Sequence, residues 1–276
     1  MRSIICTILT GLFLAQSLLA NPFFAMDTSI RNLNMAPKVK ELGYDGIGWK
    51  LGSAKEINGA KEKATETGLK LFAFYSYAGA TLTKTELNWA ASMEEELAAL
   101  EGTDAILWLP IQSRDFAFSS PEGDTVAVPA LQRLADLAAA RKVKIALYPH
   151  VGNWMERVQD AVRLAKQVNR PNFGVTFNLC HCLKLGDEDK IPQLLTEAAP
   201  YLFLVTINGA DSHIEKGGWD RLIQPLDQGT YDIRLLLNKL KELHYSGPIG
   251  LQGFGVKIPV PDNLTRSIEM WKKVTQ

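Results

Sequence analysis

The 276-residue chain has few cysteines and histidines, no excess of either charge and, after residue 20, no long apolar run. Its 30 basic and 30 acidic residues argue against a strongly basic nucleic-acid-binding protein. No stretch after residue 20 approaches the ~20 apolar residues that a membrane-spanning helix needs. Neither a GxGxxG segment after the first predicted strand nor a P-loop occurs, so the usual dinucleotide and nucleoside triphosphate motifs are missing.

The first twenty residues, MRSIICTILTGLFLAQSLLA, differ from the rest of the chain. Arg2 precedes an apolar run, and small residues lie near Ala20, which is the order typical of a cleavable secretory signal peptide. We predict a signal peptide over residues 1–20 and an exported mature protein over residues 21–276, in the periplasm or outside the cell and without stable membrane association. An uncleaved signal anchor is the alternative.

Removal of the signal peptide would leave two cysteines, Cys180 and Cys182, because Cys6 lies within it. A disulfide between cysteines that are separated by one residue would close a small, strained ring, so a disulfide framework is excluded. We therefore predict that the two cysteines are reduced and buried.

Eight short apolar or aromatic runs recur along the chain, each ending in a polar or aromatic tip, and continuous apolar runs are typical of strands covered on both faces. The predicted strands lie within residues 22–29, 44–50, 69–77, 104–112, 144–150, 173–181, 202–211 and 248–255. Amphipathic stretches predict helices at residues 88–102, 129–142, 153–168 and 231–247. Alternating strands and helices in eight units of about thirty residues predict a single-domain (β/α)8 TIM barrel. A doubly wound open sheet is the alternative.

In such a barrel the active site lies at the C-terminal ends of the strands and in the loops that follow them. His244 precedes the eighth strand and is expected at the opposite end of the barrel. The polar and aromatic residues at the predicted strand ends are Asp27, Trp49, Lys50, Tyr75, Tyr77, Gln112, Tyr148, His150, Asn178, His181, Asn208, Asp211, Gln252 and Lys257.

Two segments, PLDQGTYDIRLLLNKLKELHYSGPIGLQ at residues 225–252 and ELGYDGIGW at residues 41–49, resemble the xylose isomerase-like TIM barrels, a superfamily of sugar isomerases, epimerases and AP endonucleases. The first segment resembles the seventh loop and helix and the eighth strand of that family. Gly229 and Asp232 match the start of its helix, and residues 244–247 match the turn into the strand. ELGYDGIGW, residues 41–49, resembles its passage from the first helix to the second strand.

The resemblance implies a divalent metal held by a Glu, an Asp, a His and a Glu at the ends of strands five to eight. The matching positions of this chain are Tyr148, Asn178, Asn208 and Gln252. Hard divalent cations need anionic oxygen ligands, and this set supplies none at neutral pH. We therefore expect that the family's usual metal site is lost and that amides and a phenol bind a neutral, hydroxyl-rich ligand instead.

A displaced metal site is left open by the sequence. Such a site would have to draw on His150, His181, Asp211 or Asp27. Asn178 and His181 keep the spacing of the family's metal aspartate and its substrate-facing histidine, so the resemblance implies that His181 meets substrate.

The family's isomerisations and epimerisations abstract a proton next to a carbonyl group. Histidine is the residue type at the strand ends whose ordinary pKa lies nearest neutrality, so His150 and His181 are the predicted catalytic acid and base, with Asp211 as an orienting group or base. Amide and lysine donors would stabilise an enolate oxygen, and aromatic faces at the strand ends favour a carbohydrate. The predicted substrate-binding residues are Trp49, Lys50, Tyr148, Asn178, Asn208, Gln252 and Lys257.

The sequence thus favours an exported sugar isomerase or epimerase that binds a small carbohydrate or keto-sugar. A non-catalytic carbohydrate-binding barrel and a lyase with the same enolate chemistry are alternatives. An AP endonuclease-type phosphodiesterase is disfavoured, because those enzymes assemble several metals from many His and Glu residues and this chain has four histidines.

Overall fold

The computed structural model describes residues 21–214 and 218–276, so the predicted signal peptide lies outside the described residues. The strands are β1 (Phe23–Ala25), β2 (Gly46–Leu51), β3 (Lys70–Ser76), β4 (Ala80–Leu82), β5 (Leu87–Trp89), β6 (Ile106–Leu109), β7 (Ile111–Ser113), β8 (Lys144–Leu147), β9 (Phe173–Asn178), β10 (Leu202–Ile207) and β11 (Ile249–Leu251). Eight of them, all except β4, β5 and β7, pair in parallel and close into a barrel. The predicted TIM barrel is confirmed, and closure rules out the open sheet.

The helices flank the barrel, and the four predicted helical stretches overlap α4, α5, α6 and α10. The helices are α1 (Asp27–Ile30), α2 (Ala36–Leu42), α3 (Ala54–Thr67), α4 (Met93–Leu100), α5 (Asp124–Ala140), α6 (Val158–Val168), α7 (Leu179–Lys184), α8 (Ile191–Ala198), α9 (Trp219–Leu222), α10 (Ile233–Glu242) and α11 (Val260–Thr275). Pro129, the predicted start of α5, lies inside that helix. Within the described residues, no helix is long and apolar enough to cross a membrane.

Aromatic and apolar side chains fill the interior of the barrel. Phe24, Trp108 and Tyr148 are buried there with smaller apolar residues. Two glycines make room for the Phe24 ring, because a Cβ would lie 2.9 Å from a ring carbon at Gly48 and 2.5 Å from one at Gly250. A second, larger core packs the outer faces of the strands against the helices. The C-terminal strand ends therefore stand on a packed aromatic interior.

A small three-stranded sheet sits beside the barrel and was not predicted. β4 pairs antiparallel with β5 and parallel with β7. Residues 87–89 thus form β5, although the sequence pattern predicts that a helix starts at residue 88. Three-residue strands are too short for their periodicity to be distinguished from that of a neighbouring helix.

The turn before α10 has the geometry that the family resemblance implies. Gly229 has a φ of +87°, and a Cβ there would lie 2.0 Å from the carbonyl oxygen of Ala210. The backbone N–H of Tyr231 donates to that same oxygen at 2.9 Å. The carboxylate of Asp232 then caps α10 by accepting from the N–H of Arg234 at 3.1 Å.

Candidate active site

A cavity of about 430 Å³ opens at the C-terminal ends of the barrel strands, a volume suited to a small molecule. Four of the predicted site residues line it: Tyr148, His150, His181 and Gln252. Asp27 lines the opposite wall, since β1 lies across the barrel from β8 and β9. The structure thus brings together residues that are up to 225 positions apart in the sequence.

Tyr148 forms the floor of this cavity. Its ring stacks on that of Trp108, with centroids 5.4 Å apart, and meets the edge of Tyr75 at 4.9 Å. Its side chain is buried, and this burial raises its pKa well above the ordinary value of 10. The Tyr148 phenol is therefore neutral at physiological pH and carries a proton that it can donate.

Asn178 bonds directly to Tyr148. Asn178 ends β9 and caps α7, and its Oδ1 accepts from the His181 N–H at 3.4 Å and from the Cys180 thiol at 3.0 Å. Because these donors orient the amide, its nitrogen faces Tyr148 and donates to the phenol oxygen. The Asn178 side chain therefore positions Tyr148.

Gln252 is the third of the replaced ligands, and its own side chain is fixed by the loop after β11 and by α1. Its Oε1 accepts from the Thr28 hydroxyl at 2.5 Å and from the N–H groups of Gly253 and Phe254 at 2.9 and 3.0 Å. The Gln252 side chain opposes the effect of burial on the pKa of Tyr148. Since the Asn178 amide donates to the phenol oxygen, the proton of the phenol itself is left for a ligand in the cavity.

His150 and His181 form a close pair beside Tyr148, with ring centroids 4.1 Å apart. Nδ1 of His150 lies 2.9 Å from the carbonyl oxygen of Val151, so it carries the proton and leaves Nε2 as a free acceptor. The N–H of Val151 in turn donates to Nδ1 of His181 at 3.5 Å, so neutral His181 carries its proton on Nε2. The two rings therefore present opposite tautomers, one able to accept a proton and the other able to donate one.

Both histidines are neutral at pH 7. Burial lowers the pKa of His150 below 6.5. Burial lowers the pKa of His181 still further, and the nearby charge of protonated His150 acts in the same direction. The His181 ring also meets the edges of the Tyr148 and Trp219 rings, at 5.8 and 5.2 Å. These contacts hold His181 in one orientation.

Asp27 is a buried carboxyl group for which the sequence pattern assigned no role in substrate binding or catalysis. Its Oδ2 accepts from the Tyr77 hydroxyl at 2.8 Å. Burial raises the pKa of Asp27, and the hydrogen bond from Tyr77 partly opposes that effect. Its position directly after the first strand is the signal that identifies it, because such positions face the active site of a TIM barrel.

A second cavity, of about 780 Å³, adjoins the first and shares Asp27 with it. Three predicted substrate-binding residues, Trp49, Lys50 and Lys257, line this second cavity and not the first. Five of the seven predicted substrate-binding residues are thus divided between two adjoining cavities and, in the described part of the chain, Asn178 and Asn208 line neither.

Asn208 and Asp211 are outside the lining of both cavities as the described residues define it. The Asn208 amide nitrogen donates to the carbonyl oxygens of Gly209 and Leu222 at 2.8 and 2.7 Å. The Asp211 carboxylate pairs with the Arg221 guanidinium. The backbone N–H of Asp211 donates to the Arg221 carbonyl oxygen at 2.8 Å. Both side chains tie the loop after β10 to α9, so neither is used in the function proposed below.

The residues at the family's metal positions do not fit a divalent cation. The amide oxygens of Asn178 and Gln252 already accept from protein donors, and only Asn208 Oδ1 has no partner among the described residues. A single neutral oxygen cannot replace the hydration shell of a hard cation. Across residues 21–214 and 218–276, no group of three His, Cys, Asp or Glu side chains is arranged to hold a metal, so the described residues do not form a displaced site.

The two cysteines behave as predicted. Cys180 and Cys182 are free and buried, and burial raises the pKa of each thiol to about 12. Cys180 has a positioning contact, since its thiol donates to Asn178. Neither thiol is ionised near neutral pH, which excludes a thiolate nucleophile.

Comparison with known proteins gives one family. The family model described as Xylose isomerase-like TIM barrel matches residues 36–274. No curated protein sequence matches the chain.

Several solved structures share the fold. D-allulose 3-epimerase from Methylomonas sp. in complex with D-allulose is 21% identical, with 92% of this chain and 96% of that chain covered and a TM-score of 0.69. The apo 3-keto-D-glucoside 4-epimerase YcjR from E. coli is 18% identical, with 92% and 99% covered and a TM-score of 0.68. A xylose isomerase-like TIM barrel protein from Mycobacterium smegmatis in complex with magnesium is 15% identical, with 93% and 97% covered and a TM-score of 0.66.

Proposed function

The chain belongs to the xylose isomerase-like TIM barrel family, and on that basis we propose that it is a sugar isomerase or epimerase. It moves a proton at the carbon next to the carbonyl group of a sugar or keto-sugar, and it does so with side chains in place of the usual metal. The observation that carries this proposal is the histidine pair, whose rings lie 4.1 Å apart and present opposite tautomers beside a buried phenol.

His150 is the base in this reaction. Its Nε2 is unprotonated at neutral pH, and its ring is fixed through Nδ1 by the Val151 carbonyl group. It takes the proton from the substrate carbon, and the electron pair of the broken C–H bond moves toward the carbonyl oxygen to give an enediolate. In an isomerisation His150 then returns the proton to the neighbouring carbon, while the proton of that carbon's hydroxyl group moves to the former carbonyl oxygen. An epimerisation instead requires that a second donor deliver a proton to the opposite face of the same carbon.

Tyr148 and His181 stabilise the negative charge that develops on the substrate oxygen. The Tyr148 hydroxyl and the His181 Nε2–H are neutral, buried donors in a cavity with many aromatic and apolar lining residues, where hydrogen bonds to a developing oxyanion are strong. Asn178 holds Tyr148 in place, and both Asn178 and Gln252 stand where the family resemblance implies carboxylates that would bind a cation. This division of roles supports a metal-free mechanism.

The proposal is tested by incubating the purified protein with a panel of sugars and keto-sugars in deuterated water and following exchange of α-protons by NMR. Exchange should occur without added metal and should fall at least about 100-fold in the His150→Gln variant. The His244→Gln variant, altered at an exposed position at the other end of the barrel, is the matched control. Absence of exchange on every substrate, with and without metal, would reject the enzyme.

A non-catalytic carbohydrate-binding barrel is the second candidate function. The loss of all four presumed metal ligands favours it, because the same aromatic and amide groups bind sugars without turnover. Calorimetry separates the two candidates. Sugar binding without exchange, and unchanged in His150→Gln and His181→Gln, would support the binding protein.

We further propose that the protein is exported, since residues 1–20 have the order of a signal peptide. Expression of the full-length chain with a C-terminal tag, followed by cell fractionation and N-terminal sequencing, tests this. Export predicts tagged protein outside the cytoplasm that begins at Asn21. An intact N-terminus in the cytoplasm would contradict it.

A further inference from the structure

The second cavity is richer in positive charge than the first. Among the described residues that line it, three side chains are cationic, those of Arg31, Lys50 and Lys257, and one is a carboxylate, that of Asp27. The Asp27 carboxylate lies at the boundary with the first cavity and accepts from Tyr77. The outer part of the second cavity is therefore electropositive.

Lys50 lies on a strand of the barrel, near the C-terminal end of that strand. It belongs to β2, where its backbone is paired with that of Tyr75 in β3. Its ammonium group lies 3.6 Å from the Glu56 carboxylate, with both side chains about half exposed (47% each). Exposed pairs of this kind contribute little to stability, so a ligand anion can compete with Glu56 for Lys50.

Arg31 is held against the same cavity by its backbone and its side chain. Its φ of 57° is left-handed, and its N–H donates to the Asp27 carbonyl oxygen at 2.6 Å. Its guanidinium donates to the Val256 carbonyl oxygen. A guanidinium has five N–H donors, so most of them are left for a planar or tetrahedral oxyanion.

The two cavities adjoin each other. They share Asp27, Thr28, Tyr77 and Phe254. Tyr77 and Phe254 are 57% and 58% exposed, which places two aromatic rings at the junction. A sugar ring can stack on such faces while its two ends reach into different cavities.

We propose that the second cavity binds the carboxylate or phosphate group of an acidic sugar, while the carbonyl end of the same molecule occupies the first cavity. This inference rests on the proposed function for the position of the reacting end. Lys50 and Lys257 are then specificity residues for the anion, and Arg31 joins them. The substrate class is an anionic keto-sugar or its aldose isomer, in place of the neutral sugar that the amide-lined site suggests.

Calorimetric titration with D-glucuronate, D-glucose 6-phosphate and D-glucose tests the anion site directly. At low ionic strength at least one acidic sugar should bind about tenfold or more tighter than D-glucose, and added salt should reduce this preference. Comparison of the two acidic sugars distinguishes a carboxylate from a phosphate as the preferred anion. Equal affinity for all three sugars, or no detectable binding of either acidic sugar, overturns the inference.

Substitutions of the cationic residues test whether the second cavity is the site that binds the anionic group. The Arg31→Gln/Lys50→Gln/Lys257→Gln variant should lose the preference for the acidic sugar and keep its affinity for D-glucose, whereas Lys241→Gln, altered on α10, should change neither. If circular dichroism shows that the triple variant folds poorly, the single Lys257→Glu variant, altered at an exposed position, replaces it. Lys257→Glu should weaken the binding of acidic sugars and leave the binding of D-glucose unchanged. A preference that survives both changes overturns the inference.

The titration also separates this inference from the proposed function, because it measures binding and not turnover. A preference for acidic sugars without any proton exchange would reject the proposed enzymatic activity and support the proposed anion site. Proton exchange that is equally fast on neutral and acidic keto-sugars would support the proposed enzymatic activity and reject the proposed anion site.

Discussion

The side-chain amide of Asn178 donates a hydrogen bond to the phenol oxygen of Tyr148. The family resemblance assigns both positions to metal ligands, and in this chain the two side chains bond to each other. Gln252, at a third such position, lowers the pKa of the same phenol. Two of the replaced ligands have therefore become a hydrogen-bonded pair that presents one O–H group to the cavity.

Replacement of Tyr148 by Phe should remove this donor and leave the packing of the ring on Trp108 intact. We expect α-proton exchange to fall about 100-fold, the usual effect of losing one oxyanion donor. NMR exchange rates in deuterated water measure the loss, and Tyr201→Phe, altered outside both cavities, is the matched control. A Tyr148→Phe variant as active as the wild type would exclude Tyr148 as the donor.

The stability of the protein should fall on acidification because of His181. Its pKa is lowered in the folded state, so between pH 7 and pH 5 the unfolded chain takes up a proton at this residue that the folded protein does not. Protonation of the unfolded state favours unfolding, by at most about 2 kcal/mol at pH 5 for one such histidine. Urea unfolding at pH 5, 6 and 7 should show a smaller loss in His181→Gln than in the wild type. An equal loss in both would contradict the buried neutral His181.

Elemental analysis of the purified protein should find no stoichiometric divalent metal, because the four replaced positions supply no anionic oxygen. The Tyr148→Glu/Asn178→Asp/Gln252→Glu variant, which places three carboxylates at the ends of strands β8, β9 and β11, should gain affinity for Mn²⁺. Calorimetry with Mn²⁺ measures this gain, and circular dichroism checks the fold. One tightly bound metal per wild-type chain would overturn the metal-free mechanism.

Replacement by alanine should change the free energy of unfolding in opposite directions at two glycines, Gly229 and Gly59. Gly229→Ala forces a side chain into a left-handed conformation and toward the Ala210 carbonyl oxygen at 2.0 Å, so we expect a loss of about 1–3 kcal/mol. Gly59→Ala lies within α3 with open space around the new methyl group, so we expect a gain of up to about 1 kcal/mol. Chemical denaturation measures both. An unaffected Gly229→Ala variant would mean that the turn adjusts freely.

The barrel could be predicted because its strands are buried on both faces. Phe173–Asn178 and Leu202–Ile207 are largely apolar runs; the first ends in an amide and the second is followed by one, Asn208. A parallel barrel is the fold that repeats such buried strands eight times. The small sheet could not be predicted, because β4, β5 and β7 depend on pairing across loops. The short helix α7 was missed as well, since six residues carry too little periodicity.

The candidate site could be predicted only as far as the strand ends determine it. Tyr148, His150, His181 and Gln252 follow their strands closely, and all four line one cavity. Asp211 lies further along its loop, where the partner Arg221 decides its orientation. The tautomers of His150 and His181 could not be predicted from the sequence either. They depend on the backbone of Val151, whose carbonyl group contacts one ring and whose N–H contacts the other.

The floor and the rim of the first cavity differ in how far they can move. Tyr148 belongs to the packed interior of the barrel with Phe24 and Trp108, so displacement of the floor would disturb the centre of the fold. Tyr77 and Phe254, at the rim, are more than half exposed. Adaptation to new ligands, in the laboratory or during divergence, should therefore proceed through the rim, and structures with and without a sugar should coincide at Tyr148 and differ at Phe254.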